Sequence, residues 1–265
     1  MRFKVFTLFL AIQALSFAIW QMNSAETQVM AAEPTPEVHS APTETLVDID
    51  FSMRNFNESV IELNQAQRDT ITEALKHLPE GHVSSVEKIV LDYDKTAGRG
   101  LGGNNLIILR GVNMGFEEMV GVLVHETGHN VDYAYLAPEK EEVESTFMDG
   151  SYPLYITDPS IDFYQISWES DTKMKKTASN MDFVSGYAMS DPFEDFAETY
   201  TYYVLHNEDF KALSASSPSL EAKYRFMKYN VFNGQEFNTG KSEVSLNTRP
   251  WDTTVLSYSL SDFLG

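Results

Sequence analysis

Residues 121–135 read GVLVHETGHNVDYAY. Two histidines and a glutamate stand in a stretch that is otherwise apolar, with Val120, Val122, Leu123, Val124 and Val131 around them. A helix of this composition packs into a core, and ionisable groups buried there are costly unless something pairs them. His125 and His129 are i and i+4, one turn apart on one face. Two imidazoles so placed can share a tetrahedral zinc ion. Glu126 follows the first histidine, where it can reach a zinc-bound water without taking a coordination position. Zinc would acidify that water and polarise a scissile carbonyl, and Glu126 would take the proton. With six histidines in the chain, composition alone yields H-E-x-x-H at a rate of only ~1%. Gly128 costs up to ~1 kcal/mol in a helix interior, so its presence points to another backbone packed close.

A catalytic zinc needs a third protein ligand. The chain has no cysteine, which excludes thiolate ligands, a cysteine nucleophile and a disulfide framework. The extended pattern H-E-x-x-H-x-x-G-x-x-H is also excluded, because positions 132 and 135 are Asp132 and Tyr135. The alternative is a glutamate from a second helix. Residues 185–198 read SGYAMSDPFEDFAE. Asp191 suits an N-cap and Pro192 the first helical position. Glu194 and Glu198 then share a face, with Glu194 as the third ligand. Glu198 is placed to accept from the free ring nitrogen of His125, fixing its tautomer. Asp195 is rotated off that face and is the lesser ligand candidate. The plain reading is that these acids merely favour a helix N-terminus. Tyr187, seven residues before Glu194, can donate its hydroxyl to the oxyanion formed on an attacked carbonyl. His206 lies three turns past Glu194 and reads as structural or exposed.

The motifs HETGH, Ser185-Gly186-Tyr187 and Glu194-Asp195-Phe196-Ala197-Glu198 resemble the catalytic domain of anthrax lethal factor and related secreted bacterial zinc peptidases. That family orders H-E-x-x-H, a tyrosine seven residues before the ligand glutamate, and a second glutamate four residues on. The resemblance spans about residues 46–235. It implies an α+β, zincin-like (gluzincin) metallopeptidase domain with an active-site helix, a small mixed sheet and a helical lower part. It implies one catalytic zinc on His125, His129 and Glu194, with Glu126 and Tyr187 catalytic and Glu198 behind His125. It also suggests that Asn105–Arg110 forms the strand bordering the cleft, where an extended substrate would pair; the plain alternative is an ordinary core strand. Nothing in the chain resembles the toxin's receptor-binding part.

The rest of the 265 residues frames this centre. Arg2 and Lys4 precede an apolar run from Val5 to Trp20, and residues 1–25 hold no acid. This is a signal-peptide pattern, with Ser24-Ala25 or Val29-Met30-Ala31 as the cleavage site. The alternative is an uncleaved membrane anchor, although the run falls short of the ~20 residues that span comfortably. Residues 26–45 carry Pro34, Pro36 and Pro42 with Thr and Glu, and read as a linker or pro-segment. Residues 46–265 form the expected catalytic domain. Within it the pattern predicts helices over 59–78, 116–135, 192–206 and 217–230, and strands at Val86–Tyr93 and Leu106–Leu109. Pro79-Glu80-Gly81 reads as a helix stop and Gly98–Gly103 as a connecting loop. The glycines spell G-x-G-x-x-G, but a strand follows instead of a helix, so this is no dinucleotide site. Residues 137–185 are turn-rich and read as short helices or a flap, and Trp251–Leu264 as a packed end.

Net charge is −20, and −22 once Arg2 and Lys4 are lost with the signal. This charge repels nucleic-acid phosphates and anionic lipid. The reading is therefore a secreted zinc endopeptidase acting on protein or peptide, with no nucleic-acid partner and no stable membrane insertion. The alternative is a catalytically weak zincin-fold binding protein, secreted or at the surface.

Overall fold

Three short apolar or glycine-rich segments and an N-terminal strand build one mixed sheet. Asp50–Arg54 (β1), Lys88–Asp92 (β2), Gly100–Gly103 (β3) and Leu106–Leu109 (β4) lie in the order β1-β2-β4-β3. β1 and β4 run parallel to β2, and β3 runs antiparallel to β4. β2 has neighbours on both sides, and Ile89, Val90 and Leu91 are buried. That is the continuous apolar reading of a central strand. In the computed structural model the described residues are 49–56, 58–94, 99–110, 114–136, 143–239 and 248–265. The expected signal segment, the linker and Gly98 lie outside them.

The sheet corrects two expectations. The strand Leu106–Leu109 is not at the edge, because β4 is flanked by β2 and β3. The edge strand beside the helix that carries Glu126 is β3, Gly100-Leu101-Gly102-Gly103, read from sequence as a loop. Glycine is depleted in strands, so the pattern looked wrong for one. The reason for glycine is close approach. A Cβ on Gly102 would lie 2.5 Å from the backbone oxygen of Glu126, and one on Gly100 would lie 2.6 Å from Val122. Successive side chains of a strand alternate faces, so Gly100 and Gly102 bare one face of β3 to the helix carrying Glu126. Gly103, Asn104 and Asn105 all have positive φ. They turn the chain back into β4, as glycine and asparagine do most readily.

The helices follow their apolar spacing closely. Ile61–Lys76 (α1) buries Ile71, Ala74 and Leu75. Pro79 precedes a further short helix, Glu80–Ser84 (α2), so it starts a helix as well as ending one. Phe116–Asn130 (α3) buries nearly every side of its second half and runs on through a π turn, Val131–Tyr135. The turn-rich stretch is ordered in its described part. It forms the hairpin Glu144–Asp149 (β5) with Tyr152–Tyr155 (β6), then Ser160–Ser167 (α4), then Trp168–Ser170 (β7) with Lys173–Met174 (β8).

Pro192–Leu205 (α5) starts as expected, with Asp191 accepting from the backbone N–H groups of Phe193 and Glu194 at 3.0 and 2.9 Å. Asn207–Ser214 (α6) was not anticipated; it follows α5 after His206 alone. Pro218–Phe226 (α7) ends in a second π turn. In the C-terminal segment Asp252, Thr253, Thr254 and Phe263 of Leu260–Leu264 (α8) are buried, whereas Trp251 is exposed. No helix among the described residues is long and apolar enough to cross a membrane.

The core is mixed aliphatic and aromatic, and α3 crosses α5 at its centre. A Cβ on Gly128 would lie 3.1 Å from the Cα of Ala197 and 3.2 Å from the Cβ of Tyr200. The small residues thus set how near the two helices come. Helix propensity alone favours valine over glycine at position 128 by a few tenths of a kcal/mol. We expect the opposite sign. Gly128→Val should lower stability by about 1–3 kcal/mol through overpacking, measured as a fall in Tm and in the urea midpoint.

Candidate metal centre

The crossing brings two pairs of side chains face to face, each pair one helical turn apart. α3 supplies His125 and His129, and α5 supplies Glu194 and Glu198. His125 Nε2 lies 3.2 Å and His129 Nε2 3.4 Å from Glu194 Oε2. The three ligand atoms lie within 4.8 Å of one another. Glu194 Oε2 is buried and accepts no hydrogen bond of good geometry. Zinc bonds of about 2.0–2.1 Å at a tetrahedral angle put ligand atoms about 3.4 Å apart. The set therefore fits a zinc ion, in spacing and in its two-nitrogen, one-oxygen chemistry.

The other ring nitrogen of His125 is directed to Glu198. His125 Nδ1 and Glu198 Oε1 are 3.1 Å apart as an ion-pair contact, and neither atom has a hydrogen-bond partner of good geometry. Glu198 is fully buried. Its second oxygen, Oε2, accepts the backbone N–H of Thr253 at 2.9 Å. The carboxylate is thus held from behind while it faces the imidazole. Nothing in the sequence pattern pointed to Thr253, because a backbone donor leaves no residue signature.

The electrostatics match a site built for positive charge. Burial would push the His125 pKa down, but Glu194 and Glu198 reverse this and hold it up at about 10. Burial likewise raises the Glu194 carboxyl, yet the imidazoles of His125 and His129, close against Oε2, hold it well below the usual carboxylate range. Glu126 is buried, and burial raises its pKa despite the neighbouring imidazoles. Its carboxylate lies under the bare face of β3. A Cβ on Gly100 would fall 2.2 Å from Glu126 Oε1, and one on Gly102 would fall 2.8 Å from Oε2. These two glycines are site residues that the sequence reading missed. The available signal was their spacing of two, the period of one strand face.

Tyr187 sits in a 3₁₀ turn, Tyr187–Met189, ahead of α5. Its ring is stacked near that of His125, with centroids 6.1 Å apart. Its hydroxyl donates to Glu194 Oε1 at 2.9 Å. Burial and the neighbouring Glu194 carboxylate push the phenol pKa far up, so it stays a donor. Asp195 points away from this cluster. Its oxygens lie 2.7 and 2.8 Å from the buried Lys223 Nζ, and one accepts from Trp168 Nε1 at 3.0 Å. This side chain ties α5 to α7 and is not brought to the metal centre. His206 is buried beside the rings of Tyr202 and Tyr258, and burial lowers its pKa to about 4.

The arrangement generates a prediction about Glu198. Removing its charge while keeping its shape should loosen the orientation of His125. Glu198→Gln should therefore weaken zinc binding by about 10–100-fold, measured by competition with a chromogenic chelator. An unchanged affinity would show that Glu198 does not act through His125.

Residues 112–247 match the family model described as "Putative zinc-binding metallo-peptidase". The matched stretch runs from just before α3 to beyond α7 and contains His125, His129, Glu194 and Glu198. No curated protein and no solved structure matches the chain. The match covers just over half of the 265 residues, and the chain belongs to this zinc-binding metallopeptidase family.

Proposed function

We propose that this protein is a secreted zinc endopeptidase of gluzincin type, with a zincin-like fold and a site arranged as in anthrax lethal factor-like peptidases. The single observation that carries this reading is Glu194 Oε2 lying within 3.4 Å of both Nε2 atoms, with Glu126 next to His125 in the same helix. His125, His129 and Glu194 would hold one zinc ion. Zinc there would supply Lewis acidity, activating water and polarising the scissile carbonyl.

The chain's own residues do the rest. Glu126, raised in pKa by burial, accepts the proton of the attacking water and passes it to the leaving amine. A carboxylate whose pKa is raised by burial is a stronger base toward that proton. Glu198 keeps the Nδ1 proton of His125 in place, so Nε2 presents its lone pair. Tyr187 has one hydroxyl proton, which cannot serve Glu194 and a substrate oxyanion together. It gives up the bond to Glu194 Oε1 as the oxyanion forms.

The open edge of β3 offers backbone groups to an extended peptide beside Glu126. This favours protein or peptide substrates, and a chain cut within its length. Export rests on the N-terminal pattern of Arg2, Lys4 and the apolar run to Trp20, and is tested by N-terminal sequencing of protein from the culture medium.

Two substitutions test the chemistry. Glu126→Gln should abolish cleavage of casein and library peptides, at least 10³-fold, while zinc content stays at one per chain; wild-type turnover in this variant would overturn the mechanism. Tyr187→Phe should lower kcat by about 10²–10³-fold, the scale of losing one oxyanion donor, with zinc affinity retained. If zinc affinity falls and kcat of the zinc-saturated variant does not, the phenol only braces Glu194.

A further inference from the structure

A strap at residues 249–254 lies outside the family-matched stretch, yet it is fastened to the metal centre along its length. Arg249 donates to the backbone oxygens of Phe183 and Met181. The Pro250 carbonyl accepts from the N–H of Gly186 at 2.8 Å, and the Trp251 carbonyl from that of Tyr187 at 2.6 Å. Asp252 pairs with Arg99, next to the edge strand β3. Thr253 donates to Glu198, and Arg99 donates to Thr254 Oγ1 at 2.6 Å. The backbone of the strap thus connects the tyrosine loop, the helix behind His125 and the rim of the sheet.

The indole of Trp251 is treated differently. Its backbone is held on both sides, but its residue is 72% exposed. Its ring lies over Gly186, where a Cβ would come within 2.7 Å of it. Its centroid is 6.4 Å from that of Tyr187, which is in turn 6.1 Å from that of His125. A large apolar ring on a fixed backbone beside a reactive centre is pre-organised for contact, because little conformational freedom remains to be lost.

We propose that Trp251 is a specificity-determining residue, contacting an apolar, preferentially aromatic, side chain of the peptide substrate close to the scissile bond. The proposal rests on the peptidase reading for the identity of the ligand as a peptide. The occupant follows from the surface offered: an indole face flanked by the Tyr187 ring, with the adjacent Asp252 carboxylate already engaged by Arg99. Aromatic and aliphatic groups gain most from such a platform.

The test uses peptides identical except for one residue near the cleavage site, set to Phe, Leu, Lys or Ala. Trp251→Ala should lower kcat/KM about tenfold more for the Phe and Leu peptides than for the Ala peptide, and Trp251→Phe should recover most of that difference. A loss equal across all four peptides, a loss confined to the Lys peptide, or no loss would overturn the proposal. In parallel, binding of the same peptides to the zinc-loaded Glu126→Gln protein is measured by calorimetry, with and without Trp251→Ala. A preference for Phe over Ala that vanishes with the indole supports the proposal even if the wild type cleaves nothing, in which case the peptidase reading alone fails. Cleavage that proceeds with no such preference leaves the peptidase reading standing and removes the role of Trp251.

Discussion

The close crossing of α3 and α5 is the constraint on which the rest depends. Gly128 against Ala197 and Tyr200 leaves no room for a side chain between the helices. Two pairs with a spacing of four then meet: imidazoles on one helix, carboxylates on the other. A wider crossing would leave His125 and His129 beyond reach of a single carboxylate oxygen. A rotation of α5 by one residue would aim Asp195 at the imidazoles instead of Glu194. That rotation is opposed by the buried contact of Asp195 with Lys223 and Trp168. The buried pair itself contributes little net stability, but leaving either charge alone in the core would be expensive.

The sheet imposes a second condition. Glu126 projects toward β3, and the strand accommodates it only by having no side chains on that face. Gly100 and Gly102 serve this purpose, while Leu101 between them points outward and is exposed. The same absence of side chains gives a low, open edge beside the metal centre. The remaining wall comes from the strap at 249–254, which supplies a backbone donor to Glu198 and an indole beside Tyr187. The candidate metal ligands thus come from two helices, but their setting is completed by a strand before them and a segment after them.

Much of this was legible from residues. The spacings of His125, Glu126, His129, Glu194 and Glu198 identified two helical faces, since helical periodicity reports neighbours one turn away. The cap at Asp191 and Pro192 was legible for the same local reason, and Gly128 because glycine in a helix interior needs an explanation. What failed was non-local. The glycine run read as a loop because strand preference is set by what the strand packs against, and α3 is distant from it in local pattern. The resemblance put the cleft edge at Asn105–Arg110, whereas β4 is central, because pairing order is not written in either strand. The role of Thr253 was invisible because it acts through its backbone, and Trp251 looked like core because its size and apolarity suit a core equally well.

The central claim is that one zinc ion is held by His125, His129 and Glu194 together. Crystals of the zinc-loaded protein, measured on both sides of the zinc absorption edge, test it directly. The account predicts one anomalous peak at about 2.0–2.2 Å from His125 Nε2, His129 Nε2 and a Glu194 oxygen, with Glu198 outside bonding distance. A peak bound by Asp195 or His206 in place of Glu194, or no ordered zinc between α3 and α5, would contradict it.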